Sequence, residues 1–106
     1  MISEDRVERA VEFIRDNAER LGEVVGHCKA LEQQRKVVHG HAFLDAAGTV
    51  AEREARAYTS PEFKALTEDI QNEWAEKTTL ETKLKAAELT IDVWRSQFSK
   101  YGKGHL

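Results

Sequence analysis

His27, Cys28, His39 and His41 are the residues of this chain whose types suit metal binding or proton transfer. Imidazole and thiolate are the usual zinc ligands. Their spacing argues against a site. Residues two apart on a helix point about 200° away from each other, so His39 and His41 cannot chelate together unless Gly40 breaks the helix. Glu23 and His27 share a face at i, i+4, but two ligands do not make a site. A lone cysteine forms no internal disulfide and offers no paired thiol for a zinc ribbon or a redox motif. There is no glycine-rich phosphate loop, nucleophile elbow or His-Glu-x-x-His, and the carboxylates are spread as helix-surface charge. The expectation is a chain that is not an enzyme, with no catalytic residue, no cofactor and no metal.

Two other groups of residues invite a binding role. In Trp94-Arg95-Ser96-Gln97-Phe98-Ser99-Lys100-Tyr101-Gly102-Lys103, cations alternate with aromatics. Rings of that kind stack on bases while Lys and Arg meet phosphates. Arg35, Lys36, Arg95, Lys100 and Lys103 are accordingly the candidate nucleic-acid contacts. Against this, Trp94, Phe98 and Tyr101 follow a helical spacing that would bury them, and the net charge of −3 weakens an electrostatic footprint. Gly22 and Gly26 lie four apart, and each costs about 1 kcal/mol relative to Ala inside a helix. They suggest a close helix crossing, within the chain or between copies. With Trp74, Trp94, Phe98 and Tyr101 they form the candidate interface.

The elements that must position these residues are helices. The chain has 106 residues with one Pro and 6 Gly, and 33% of its residues are charged. Ala, Glu, Lys, Leu, Arg and Gln fill most positions, whereas no alternating β-branched run or Asn-Gly turn occurs. Val7, Val11, Ile14, Ala18, Leu21, Val25 and Cys28 make a four-three apolar alternation over about three heptads. This predicts one long helix over residues 3–47, with Ser3 as N-cap, Glu4 and Asp5 in the first turn, and Arg35 interrupting the stripe. Gly48 is expected as its C′ residue, and Thr49-Val50-Ala51-Glu52 is a capping box for a short helix over 50–58. Ser60-Pro61-Glu62 then starts a third helix over 61–101. Its stripe is Phe63, Leu66, Ile70, Trp74, Leu80, Leu84, Ala87, Ile91, Trp94, Phe98 and Tyr101, with a polar lapse near Lys77.

Helices of about 40 residues reach roughly 60 Å each, too long to fold back more than once in this chain. The expected fold is therefore all-α: one domain, a long antiparallel two-helix hairpin with a short helix at the turn. Charge favours that orientation, since residues 1–25 carry a net −3 and residues 76–106 a net +2. The bulk of the aromatic residues exceeds what one partner helix covers, which predicts a homodimer in the form of a four-helix bundle. Further expectations are a second, unidentified protein partner, nucleic acid as the alternative, and no membrane association. No stretch is apolar enough to span a bilayer and the acidic N-terminus is unlike a secretory signal, so a cytoplasmic location is expected.

The run Gly48-Thr49-Val50-Ala51-Glu52-Arg53-Glu54-Ala55-Arg56-Ala57-Tyr58, then Ser60-Pro61-Glu62-Phe63, Ala87-Glu88-Leu89 and Ile91-Asp92-Val93-Trp94-Arg95-Ser96-Gln97, resembles a family of small helical proteins encoded by tailed bacteriophages and prophages. The resemblance spans about Leu31 to Gln97 and lies in word order, not in a catalytic motif. It departs at Phe98-Ser99-Lys100-Tyr101, where the relatives continue with small, Asn- and Arg-containing polar residues. What it implies is a phage or prophage protein of mostly unassigned function. An association of such proteins with DNA-recombination genes supplies the alternative, a DNA-binding accessory factor in recombination or replication. Beside that resemblance, Glu52, Arg53, Glu54 and Arg56 are expected to fix the turn by ion pairs with Arg35, Lys36 or Glu62.

Overall fold

The computed structural model describes the backbone of residues 1–104 and the side chains of residues 1–100. It is all-helical, with α1 (Glu4–Asp45), α2 (Val50–Tyr58) and α3 (Pro61–Gly104), and no strand occurs among the described residues. No helix there is long and apolar enough to cross a membrane.

The helix starts follow from capping chemistry. The first N–H groups of a helix lack intrahelical acceptors, and a hydroxyl at the N-cap supplies one. Ser3 Oγ accepts from Arg6 N at 3.2 Å, and Thr49 Oγ1 accepts from Glu52 N at 3.2 Å. Ser60 serves two helices, because its hydroxyl donates to Ala57 O at 2.9 Å and accepts from Phe63 N at 3.3 Å. Gly48 differs from expectation. Its φ of +115° is the left-handed conformation that only glycine adopts readily, but α1 ends at Asp45, so Ala46 and Ala47 intervene and Gly48 shapes the loop instead of capping the helix. α3 also runs through Gly102 to Gly104, past the expected end at residue 101.

The chain divides into two compact units, residues Val24–Glu76 and residues Met1–Glu23 with α3 from Lys77 onward. In the first unit, Val24, Cys28 and Leu31 of α1, Ala57 of α2, and Leu66 and Ile70 of α3 are buried. Leu31, Leu66 and Ile70 form one apolar cluster, with Val38 packed against it. Polar contacts join α1 to α3 here. His27 Nδ1 lies 3.1 Å from Glu73 Oε2, and the Trp74 indole donates to Glu32 Oε1 at 2.9 Å. In the other unit Ala10, Leu80, Leu84 and Ala87 are buried, and the backbone N–H of Ile2 donates to Gln97 Oε1 at 3.1 Å.

The inward stripe of α1 has a different phase from the expected one. Val7, Ile14, Leu21 and Cys28 hold their places, but between them the helix turns Ala10, Asn17 and Val24 inward, while Val11 and Ala18 are exposed and Val25 is half-buried. Asn17 is tolerated in the stripe because its side-chain amide donates to Phe13 O of its own helix at 2.8 Å. The same shift occurs on α3: half-buried Glu73 and Lys77 occupy the stripe, and Trp74 stands beside it, 41% exposed. An indole is amphipathic and gains from a wet edge where its N–H finds a carboxylate, whereas half-buried Glu73 meets an exposed His27.

Candidate functional site

The turn is built by α2, and its chemistry begins with the end of α1. The last carbonyls of any helix lack intrahelical donors, and α1 has no basic residue in its last turn. Arg53 of α2 provides a donor to one of these carbonyls, and Arg56 provides one to the loop that follows α1. Arg53 Nε donates to Phe43 O at 3.1 Å while its guanidinium lies 4.4 Å from the centroid of the Phe43 ring, and Arg56 Nη1 donates to Ala47 O at 2.9 Å. These arginines therefore hold the turn through backbone carbonyls and an aromatic face; among the described residues no ion pair of α2 with Arg35, Lys36 or Glu62 is seen. A planar guanidinium suits that task, since it stacks and donates at once.

Surface pockets occur among the described residues. One of about 480 Å³ is lined by residues of mixed charge, among them His41, Asp45, Arg56 and Glu62. A second, of about 410 Å³, is lined by Arg35, Lys36, His39, Tyr58, Phe63 and Thr67. It carries two cations and no carboxylate. Its wall is an aromatic cluster: the His39 ring is 4.5 Å from Tyr58 and 6.0 Å from Phe63, and Tyr58 meets Phe63 edge-on at 5.4 Å. His39 Nε2 is sealed from solvent and has no hydrogen-bond partner. A third pocket, of about 510 Å³, belongs to the other unit and is lined by Arg95, Ser96, Ser99 and Lys100.

Among the candidate nucleic-acid contacts, Arg35 and Lys36 share one pocket and Arg95 and Lys100 share another. Lys103 and Tyr101 lie outside the described side chains. Among the interface candidates, Trp94 is half-buried and stacks on Phe98 at 5.5 Å, while Phe98 is 68% exposed and so is not a core residue. Gln97, not Phe98, is the half-buried position there, and it accepts from the Ile2 N–H. Gly22 and Gly26 mark no close crossing inside the chain, because a methyl group at either would meet nothing within 4 Å. Among the described residues no cluster of three or more His, Cys, Asp or Glu is placed to hold a metal ion. His27 is engaged with Glu73, and Cys28 is buried.

Reading the sequence alone missed the His39–Tyr58–Phe63 cluster. A signal was present: Tyr58 and Phe63 flank Ser60-Pro61, so the turn that starts α3 brings both rings back toward the end of α1. Compared with protein-family models, curated proteins and solved structures, the chain has no match.

Proposed function

We propose that this chain is a non-catalytic helical interaction module: α1 folds back along α3 as an antiparallel hairpin with α2 at the turn, a second copy completes a four-helix bundle, and the outer helix faces dock another protein. The observation that carries this reading is incomplete burial. No large side chain among the described residues is fully buried, while Val11, Val37, Leu44, Leu89, Val93 and Phe98 are exposed. Isolated exposed apolar residues are ordinary, but their coincidence with a thin core favours a partner. The contacts of Ile2 with Gln97 and of His27 with Glu73 support the hairpin sense. The resemblance of the sequence to small phage proteins is the ground for proposing an adaptor or accessory role in a phage or prophage, exercised in the bacterial cytoplasm.

Thermal unfolding at protein concentrations differing about a hundredfold tests the reading, because an obligate dimer melts at higher temperature when concentrated. A melting temperature indifferent to concentration would remove the four-helix bundle. A second reading has its own observation. Phe98 is exposed and stacked on Trp94, with Arg95 and Lys100 lining an adjacent pocket. That arrangement favours a DNA-binding accessory role. Fluorescence anisotropy against labelled single- and double-stranded DNA at two salt concentrations tests it, and absence of binding at low salt rejects it.

A further inference from the structure

We infer that the pocket between Arg35, Lys36, His39, Tyr58, Phe63 and Thr67 binds a nucleotide unit, a planar heteroaromatic ring carrying a phosphate. Its volume of about 410 Å³ falls within the range of small-ligand sites, about 300–1,000 Å³. Three features select the ligand class. Two cations adjacent in α1, Arg35 and Lys36, line the pocket with no carboxylate among the lining residues, so the field favours an anionic group. The neighbouring pocket has no such preference, since Asp45 and Glu62 line it. Guanidinium and ammonium together match a phosphate, the first through its planar fork and the second as a point charge.

The aromatic wall supplies the second feature. Tyr58 is the last residue of α2 and is half exposed, leaving a ring face at the pocket mouth on which a base can stack. His39 supplies the third. Its Nε2 lacks a hydrogen-bond partner behind the rings of Tyr58 and Phe63. A buried polar atom left this way is unfavourable, and a ligand whose polar edge reaches it supplies the missing partner. The Thr67 hydroxyl donates to Phe63 O at 2.8 Å and keeps lone pairs for a ligand N–H. The binding role does not rest on self-association, since every residue involved belongs to one unit of one chain.

Titration calorimetry of the full chain at low salt, with AMP, UMP, adenosine, inorganic phosphate and a short oligo(dT), tests the assignment. The expected result is saturable binding of AMP or UMP, with adenosine and inorganic phosphate each at least about tenfold weaker. Arg35→Ala and Tyr58→Ala should each weaken nucleotide binding at least about fivefold without loss of helical circular dichroism, and Arg9→Ala, at an exposed position of the other unit, should leave it unchanged. Tighter binding of oligo(dT) with the same sensitivity to Tyr58→Ala identifies a strand as the source of the unit, and tighter binding of AMP or UMP identifies the free nucleotide. No saturable binding by about 5 mM nucleotide, equal affinity for inorganic phosphate, or variants that bind as the parent does would overturn the inference. Arg35 is an exposed helix residue, so its variant keeps the test valid even if Tyr58→Ala loosens the turn.

Discussion

Replacing Arg53 with Ala should destabilise the protein far more than a half-exposed surface arginine ordinarily does. Two interactions end together: the hydrogen bond from Nε to Phe43 O at 3.1 Å and the guanidinium stacked 4.4 Å from the Phe43 ring. A partly exposed hydrogen bond from a charged donor contributes about 1 kcal/mol, and a cation over an aromatic face at the surface about 0.5–1 kcal/mol. The favourable position of a cation at a helix C-terminus overlaps with the hydrogen bond and is not added again. The expected loss is about 1.5–2 kcal/mol, which for a domain of this size lowers the melting temperature by about 5–15 °C. Circular dichroism at a single protein concentration measures it, since association would otherwise shift both curves. Arg53→Lys keeps a cation near the ring but lacks the Nε donor, so it should fall between parent and Ala. A loss under about 0.5 kcal/mol for Arg53→Ala would mean that water serves the α1 carbonyls equally well and that α2 does not secure the turn.

Adjacent residues on α1 should respond in opposite ways. Ala10→Asp places an unpaired charge at a buried position and should unfold or destabilise the chain by about 3 kcal/mol or more in urea titrations, whereas Val11→Asp should leave the fold within about 0.5 kcal/mol. Equal effects would contradict the inward phase described for α1. Gly48→Ala should cost about 1–2 kcal/mol because its φ of +115° disfavours any side chain. Gly22→Ala, with open space around it in the chain, should stabilise by about 0.5–1 kcal/mol, and a loss instead would place Gly22 at a contact between copies. Leu84→Ala should cost about 2–4 kcal/mol and Val93→Ala under about 0.5 kcal/mol, read by chemical denaturation; similar values would mean that the two faces of α3 are equally covered.

Local rules carried most of the fold. Ser3, Thr49 and Ser60-Pro61 announce three helix starts because capping depends on residues three apart, and the boundaries of α2 lie where its capping box puts them. The phase of the stripes was not legible. Val11, Ala18 and Val25 are together more apolar than Ala10, Asn17 and Val24, and both series share every seventh residue with the true stripe. Only the facing helix decides between them, and Asn17 bonding to its own backbone removes the penalty that apolar counting assigns to it. Trp74 misled for a related reason, since its size suggested burial while its N–H sought Glu32. The roles of Arg53 and Arg56 depend on carbonyls at the end of α1 and in the loop that follows it, which appear only once that end is located. The pocket at the turn likewise needs three helices in place before His39, Tyr58 and Phe63 meet.

Sedimentation equilibrium of the unmodified chain at micromolar concentration tests the proposed assembly most directly. The account predicts a species of twice the 12.1 kDa chain mass, reduced toward the single-chain mass by Val37→Asp without loss of helicity. A single-chain mass at every concentration, with cooperative unfolding intact, would contradict it.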